Sequence, residues 1–142
     1  DYIDCGGPNC DPCAAEITWN SYGIQYFGDA AASAEIVGTN LQIQGTSLTG
    51  AQIGFVIAEP VDGWYNGYVV ALNPSSLPQA GAYTSTDGTN YTTLMGGNTT
   101  FQINYIDPVS GGYIVGTFNG SMQDALGSSA TVSGGSYAIP IN

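Results

Sequence analysis

Three cysteines, Cys5, Cys10 and Cys13, sit together in DCGGPNCDPC (4–13) at the spacing C-x4-C-x2-C, and the chain has no others. That spacing matches three ligands of a plant-type [2Fe–2S] cluster, but the fourth Cys is missing. A Cys3His zinc site fails because there is no histidine. Asp11 would have to complete a mixed site. Disulfide chemistry fits better. The pairings 5–10, 5–13 and 10–13 are all open, and a 10–13 CxxC bond would be reactive rather than structural. We expect Cys5 to pair with Cys10 or Cys13. The remaining thiol then stays free or bonds another chain.

Oxygen ligands gather in EPVDGWYNG (59–67), which holds Glu59, Asp62 and Asn66 beside Trp64 and Tyr65. Calcium takes such oxygens at loops, so no cofactor is expected unless this loop takes up Ca2+. Carboxylates next to aromatic rings also suit a glycan site or a glycosidase. Pro-x-Asp-Gly is ordinary turn chemistry too, and the turn is the leading reading here. TDGTN (86–90) reads the same way. An acid-only hydrolase needs two carboxylates about 5–10 Å apart in a cleft, and nothing in the sequence singles out such a pair. Sequons at Asn90, Asn98 and Asn119 mark candidate glycosylation sites.

The chain carries eleven acids and no Lys, Arg or His, for a net charge of −11. Without cations it cannot neutralise phosphates, which excludes nucleic acid as a partner. Anionic membrane surfaces repel it. No stretch approaches the roughly 20 apolar residues of a membrane helix, so no insertion is expected. There is no His for general base chemistry, no Lys for a Schiff base and no Arg to clamp a carboxylate. Ser-His-Asp and Cys-His catalysis are impossible. The chain is therefore expected not to be an enzyme. Each carboxylate must be solvated, bonded to backbone N–H groups, or holding an external cation. The start at Asp1, with no basic and apolar leader, is read as a processed, mature form.

The elements that would position these groups read as β. Tyr, Thr, Ile and Val alternate in short runs, with Gly, Asn, Asp, Ser and Pro punctuating roughly every 8–12 residues. The runs are 15–19, 23–27, 40–48, 51–59, 66–72, 81–86, 90–95, 99–107, 111–124 and 129–141, with NSY (20–22) turning the first pair into a hairpin. DAAASAEIV (29–37) is the best helix candidate, capped by Asp29, and equally enters a strand. Gly116 marks a bulge or a close approach in a long strand. Tyr22, Tyr26, Tyr65, Tyr68, Tyr83, Tyr91, Tyr105, Tyr113 and Tyr137 are expected to pack with their hydroxyls at the edge, some at an interface. The whole predicts an all-β fold: an antiparallel β-sandwich of about 9–10 strands, Ig-like or jelly-roll-like. It occupies 15–142 as one domain, behind an extended Cys-containing tail at 1–14.

The segment 101–141 carries a further signal in Tyr105, Asp107, Gly116, Thr117, Phe118, Gly120, Val132, Gly135, Tyr137, Ile139 and Pro140, with QAGAYT (79–84) before it. This pattern resembles secreted β-sandwich surface and lipoprotein-like domains of Bacteroidetes-type bacteria. The resemblance covers about half the chain. It implies an antiparallel sandwich outside the cytoplasm and supplies no catalytic residues. One departure is that Cys5 lies behind DYID, which argues against a lipid on an N-terminal Cys.

These observations lead to one principal expectation. The chain is a non-enzymatic extracellular structural protein at the cell surface, a self-assembling subunit of a filament, fibre or layer. Its tail would link copies into a homopolymer or homo-oligomer by strand addition, by a disulfide, or both. The alternative is a monomeric cell-surface module that binds glycan or calcium through the 59–67 loop.

Overall fold

The computed structural model describes residues 15–28 and 32–142. The tail, with Cys5, Cys10 and Cys13, and the Asp29 cap lie outside the described residues. Eleven strands and no helix make up the fold among those described: β1 (Glu16–Ser21), β2 (Ile24–Phe27), β3 (Ser33–Val37), β4 (Asn40–Thr46), β5 (Gln52–Ala58), β6 (Tyr68–Leu72), β7 (Ala80–Thr84), β8 (Asn90–Thr92), β9 (Thr99–Ile106), β10 (Tyr113–Gln123) and β11 (Ser129–Pro140). Ten coincide with the runs read from the sequence. The eleventh is β3, where the ambiguous 29–37 segment enters a strand: Ser33–Val37 pairs antiparallel with Asn40–Gln44. The β-branched Ile36 and Val37 favour that outcome over a helix.

The sheet is antiparallel and curls back on itself. One layer runs β6-β9-β10-β11-β1-β2 and the other β3-β4-β5-β7-β8. The long β10–β11 hairpin belongs to both. Its first half pairs β10 with β9, and its far end pairs Gln123 with Thr92 of β8. Register shifts between Phe118 and Gly120 bend it from one layer toward the other. On the opposite side the layers meet where Asn142 N–H donates to the Ala34 carbonyl (2.9 Å) and Thr46 N–H to the Gly28 carbonyl (3.1 Å). Gly28 and Gly45 form the second of these seams. A Cβ at Gly45 would stand 2.3 Å from the Ile17 side chain, so only glycine lets the backbones approach this closely.

Alternation decides what goes inside. Leu41 and Ile43 are buried while Gln42 and Gln44 face solvent; Ile53, Phe55 and Ile57 share the inner face of β5. One core cluster runs through both layers. At its centre Phe55 lies 5.1 Å from Phe101 and 4.8 Å from Phe118 between ring centroids, and Tyr137 stacks on Phe101. Each such ring contributes about 1.5–3 kcal/mol by leaving water.

The expected alternation Phe101, Ile103, Tyr105 fails at its last member. The β9–β10 register shifts between Val115 and Gly116, so Ile103 faces Gly116 while Tyr105 faces Val115. The extra residue, Asn104, turns Tyr105 outward and brings Ile106 in. Gly116 is both things its position suggested. It sits at this bulge, and its missing Cβ leaves room for the Tyr137 hydroxyl, which donates to the Gln102 carbonyl at 2.8 Å. Burial holds the Tyr137 phenol well above its ordinary range.

Candidate functional site

The first hairpin differs in detail from the NSY expectation. Ser21 faces Ile24, so the turn is the two-residue Tyr22-Gly23, with φ of 51° and 78°. Positive φ at both central residues is the type I′ signature, which favours Asn-Gly and disfavours a bulky side chain at the first place. Tyr22 is held there with its hydroxyl donating to the Ser129 carbonyl.

Strand β2 follows this turn and ends the sheet. It pairs with β1, and among the described residues no strand pairs with its other side. Beyond the Gly28–Thr46 seam the free edge of β2 diverges from the Ser47–Gly50 turn. The gap is an apolar trough of about 200 Å³ lined by Ile24, Gln25, Tyr26, Phe27, Ser47, Leu48 and Thr49. Ile24 and Phe27 are more than half exposed and Leu48 is 94 % exposed. Large apolar side chains along an unpaired edge are what proteins ordinarily avoid.

Ile24 and Tyr26 of β2 also line a second cavity, a cleft of about 280 Å³ between the tips of the β1–β2 and β7–β8 hairpins. Tyr22, Tyr26, Tyr83 and Tyr91 line it, with Ser21, Ser85 and Asp87 among the polar groups. Trp19 stacks on Tyr26 (5.5 Å), Tyr83 on Tyr91 (5.9 Å), and Trp19 meets Tyr83 edge-on (6.1 Å). The buried Trp19 Nε1 has no hydrogen-bond partner among the described residues.

Asp87 is fixed by its own turn, as TDGTN suggested. Its Oδ1 accepts from Thr89 N–H (3.0 Å) and from the Ser85 hydroxyl. These bonds, the Ser85 one first, lower its pKa to about 2. Depression of a carboxylate's folded-state pKa means the contribution is present above the ordinary aspartate range and lost as pH falls through the folded value. The Asp87 carboxyl is therefore expected to titrate near 2 by NMR, and the Ser85–Thr89 turn to loosen only between about pH 4 and 2. A midpoint near 4 would mean that the turn does not hold the carboxylate.

The 59–67 loop is arranged otherwise than a ligand cage. Pro60 to Gly63 is the turn, closed by Gly63 N–H to the Pro60 carbonyl at 2.9 Å. Glu59 precedes this turn and Asp62 lies within it, both exposed, and Trp64 packs partly into the core edge-on to Tyr68. The Asn66 Oδ1 accepts the Ile106 N–H at 2.9 Å, tying this loop to β9. Asn66→Ala is expected to cost about 1–2 kcal/mol in urea unfolding, because it orphans that N–H; an unchanged midpoint would refute the tie. Among the described residues no group of three or more Asp, Glu, His or Cys could hold a metal ion.

The three sequon asparagines lie on the surface. The Asn90 Oδ1 accepts from Thr84 Oγ1 (2.8 Å) and the Asn119 Oδ1 from Gly134 N–H (3.1 Å), while the exposed Asn98 precedes β9. The aromatic cleft was not singled out in the sequence. Its tyrosines read individually as strand packing, and only the β2-β1-β11-β10-β8-β7 strand order brings Tyr22 and Tyr26 next to Tyr83 and Tyr91. The one local signal was Tyr-Gly in a turn position that prefers Asn-Gly.

The class these features define is a curled, antiparallel all-β domain with an open apolar edge and an aromatic cleft. Compared with known proteins, the chain matches no family model, no curated protein and no solved structure. No helix among the described residues is long and apolar enough to cross a membrane.

Proposed function

We propose that this protein is a non-enzymatic structural subunit that assembles copy to copy at the cell surface, outside the cytoplasm. The observation that carries the reading is the free edge of β2 beside its apolar trough. An incoming strand would hydrogen-bond to the unpaired N–H and C=O groups of Ile24–Phe27 and cover Ile24, Phe27 and Leu48. We assign as donor the N-terminal tail of a second copy. Fourteen residues precede Ala15, which when extended span roughly 45 Å, ample to reach a neighbour. Within the tail, Tyr2 and Ile3 supply apolar contacts, and one cysteine of Cys5, Cys10 and Cys13 remains after a pairing, available to lock the joint. The extracellular setting rests on the cysteine chemistry and on the resemblance of 101–141 to secreted surface domains.

The calcium or glycan reading of the 59–67 loop has less support, since Asn66 is bonded to Ile106 and Trp64 is partly buried. The net charge of −11 opposes self-association, so assembly should strengthen with ionic strength, as the Debye length falls to about 10 Å at 0.1 M salt. The test is the native mass and negative-stain appearance of the full chain, with and without reductant, beside a chain lacking residues 1–14. Long or high-mass species that need the tail support the reading. A monomer under all salt and redox conditions overturns it.

A further inference from the structure

Independently of assembly, we infer that the Tyr22/Tyr26/Tyr83/Tyr91 cleft is a binding site for a small organic cation, an alkylated or quaternary ammonium. Three observations converge on this. The first is shape: the 280 Å³ cleft accommodates a small molecule, and four of its lining residues are tyrosines against two aliphatic ones, Ile24 and Ala130. Aromatic faces carry negative quadrupoles that attract cations, most strongly where water is partly excluded.

The second is charge. Asp87 lines the cleft and stays ionised at all ordinary pH. The phenol of Tyr91 is raised first by burial and then by the carboxylates of Asp124 and Asp87, so the field there is negative. The chain has no Lys, Arg or His to neutralise that field, so any positive charge must come from outside. Bare metal ions are the poorer occupants. Asp87 Oδ1 is already bonded to Ser85 and Thr89, and Asp124 Oδ1 accepts from Leu126 N–H (2.9 Å) and Ser128 N–H (2.8 Å). A diffuse, weakly hydrated cation needs no direct carboxylate ligand.

The third is strain. Tyr22 occupies the left-handed turn position at φ 51°, where Asn or Gly would be at ease. Its hydroxyl's bond to the Ser129 carbonyl holds the ring in that turn, where it stands 68 % exposed at the mouth of the cleft and open to a ligand.

The experiment titrates the full chain with tetramethylammonium chloride and choline chloride against sodium chloride at matched ionic strength. Ring-proton NMR shifts are read for the four tyrosines, with Tyr65 and Tyr68 as remote controls. Saturable shifts confined to the cleft rings are expected with both organic cations and not with sodium. Tyr22→Asn gives the turn its preferred Asn-Gly, keeps the fold, and should weaken binding roughly 3- to 30-fold through the lost cation–π contact. Tyr91→Leu should weaken it by a similar factor. No saturable shift, or equal affinity in both variants, overturns the inference. A stronger response to neutral sugars such as N-acetylglucosamine than to tetramethylammonium also overturns it, making the cleft a glycan platform instead.

Discussion

Gly116→Ala is expected to destabilise the protein by about 2–6 kcal/mol in urea unfolding, more than Asn66→Ala. The added Cβ would stand 2.0 Å from the Gln102 carbonyl oxygen and 2.3 Å from the Tyr137 hydroxyl. Neither neighbour can step aside freely. Gln102 is paired to Thr117 in the ladder, and Tyr137 is buried in the stack with Phe101 and Phe118. Overpacking of this kind costs about 1–3 kcal/mol. Separating the Tyr137 hydroxyl from its acceptor leaves buried polar groups unsatisfied, a further cost of about 1–3 kcal/mol. The matching control is Gly54→Ala, where the nearest atom to the new Cβ is the Ile43 carbonyl oxygen at 3.4 Å. There the substitution removes unfolded-state freedom without a clash and should be neutral or stabilising by a few tenths of a kcal/mol. Equal effects at the two sites would show that the bulge at Gly116 is not where β9, β10 and Tyr137 are fitted together.

The contrast between these two glycines shows how much of the fold could be read from residue order. Gly116 stood out because it interrupts a long alternating run, and an interruption there has few physical meanings. The strands themselves were legible because period-two alternation is local: Leu41/Gln42/Ile43/Gln44 can be sorted into inner and outer faces without knowing the neighbour. What was not legible depends on register and strand order. Tyr105 left the inner face because one extra residue in β9 shifted its pairing with β10, and nothing local to Asn104 announces that. The two-layer path of β10 is likewise a property of pairing, since the same strand serves β9 at one end and β8 at the other.

The site was harder still. The 59–67 loop drew attention because its acids and aromatics are adjacent in sequence, yet adjacency there serves a turn and a backbone bond from Asn66. The aromatic cleft assembles from Tyr22, Tyr26, Tyr83 and Tyr91, whose convergence needs the long-range order of the sheet. The open edge of β2 could not be located from the sequence, where only an unspecified edge strand was expected. Its position follows from the Gly28–Gly45 seam, which brings the layers together at one end of β2 and lets them part along the rest.

That parting yields the sharpest test of the assembly reading. Leu48→Asp is expected to raise the concentration needed for assembly by a factor of about 10–100 or more while leaving the monomer's unfolding midpoint nearly unchanged. Leu48 is 94 % exposed in the isolated chain, so its replacement disturbs no core contact, and exposed substitutions usually change stability by less than about 0.5 kcal/mol. In the assembled state the same side chain would be covered by the incoming strand. Losing its burial forfeits about 1.5–3 kcal/mol, and placing an unpaired carboxylate there adds a desolvation penalty. Each 1.4 kcal/mol is a factor of ten in the association constant. Charge alone must be separated from location, because the variant moves the net charge from −11 to −12. Val61→Asp makes the same change at a residue that is 103 % exposed in the 59–67 loop, outside the trough. It should shift the assembly concentration by no more than about twofold at 0.1 M salt, where like charges on distant surfaces are screened. Loss of assembly in both variants would attribute the effect to net repulsion, and retention in both would remove the β2 edge from the contact. A selective loss at Leu48 would place the turn beside the β2 edge in the contact, as a strand laid along Ile24–Phe27 requires.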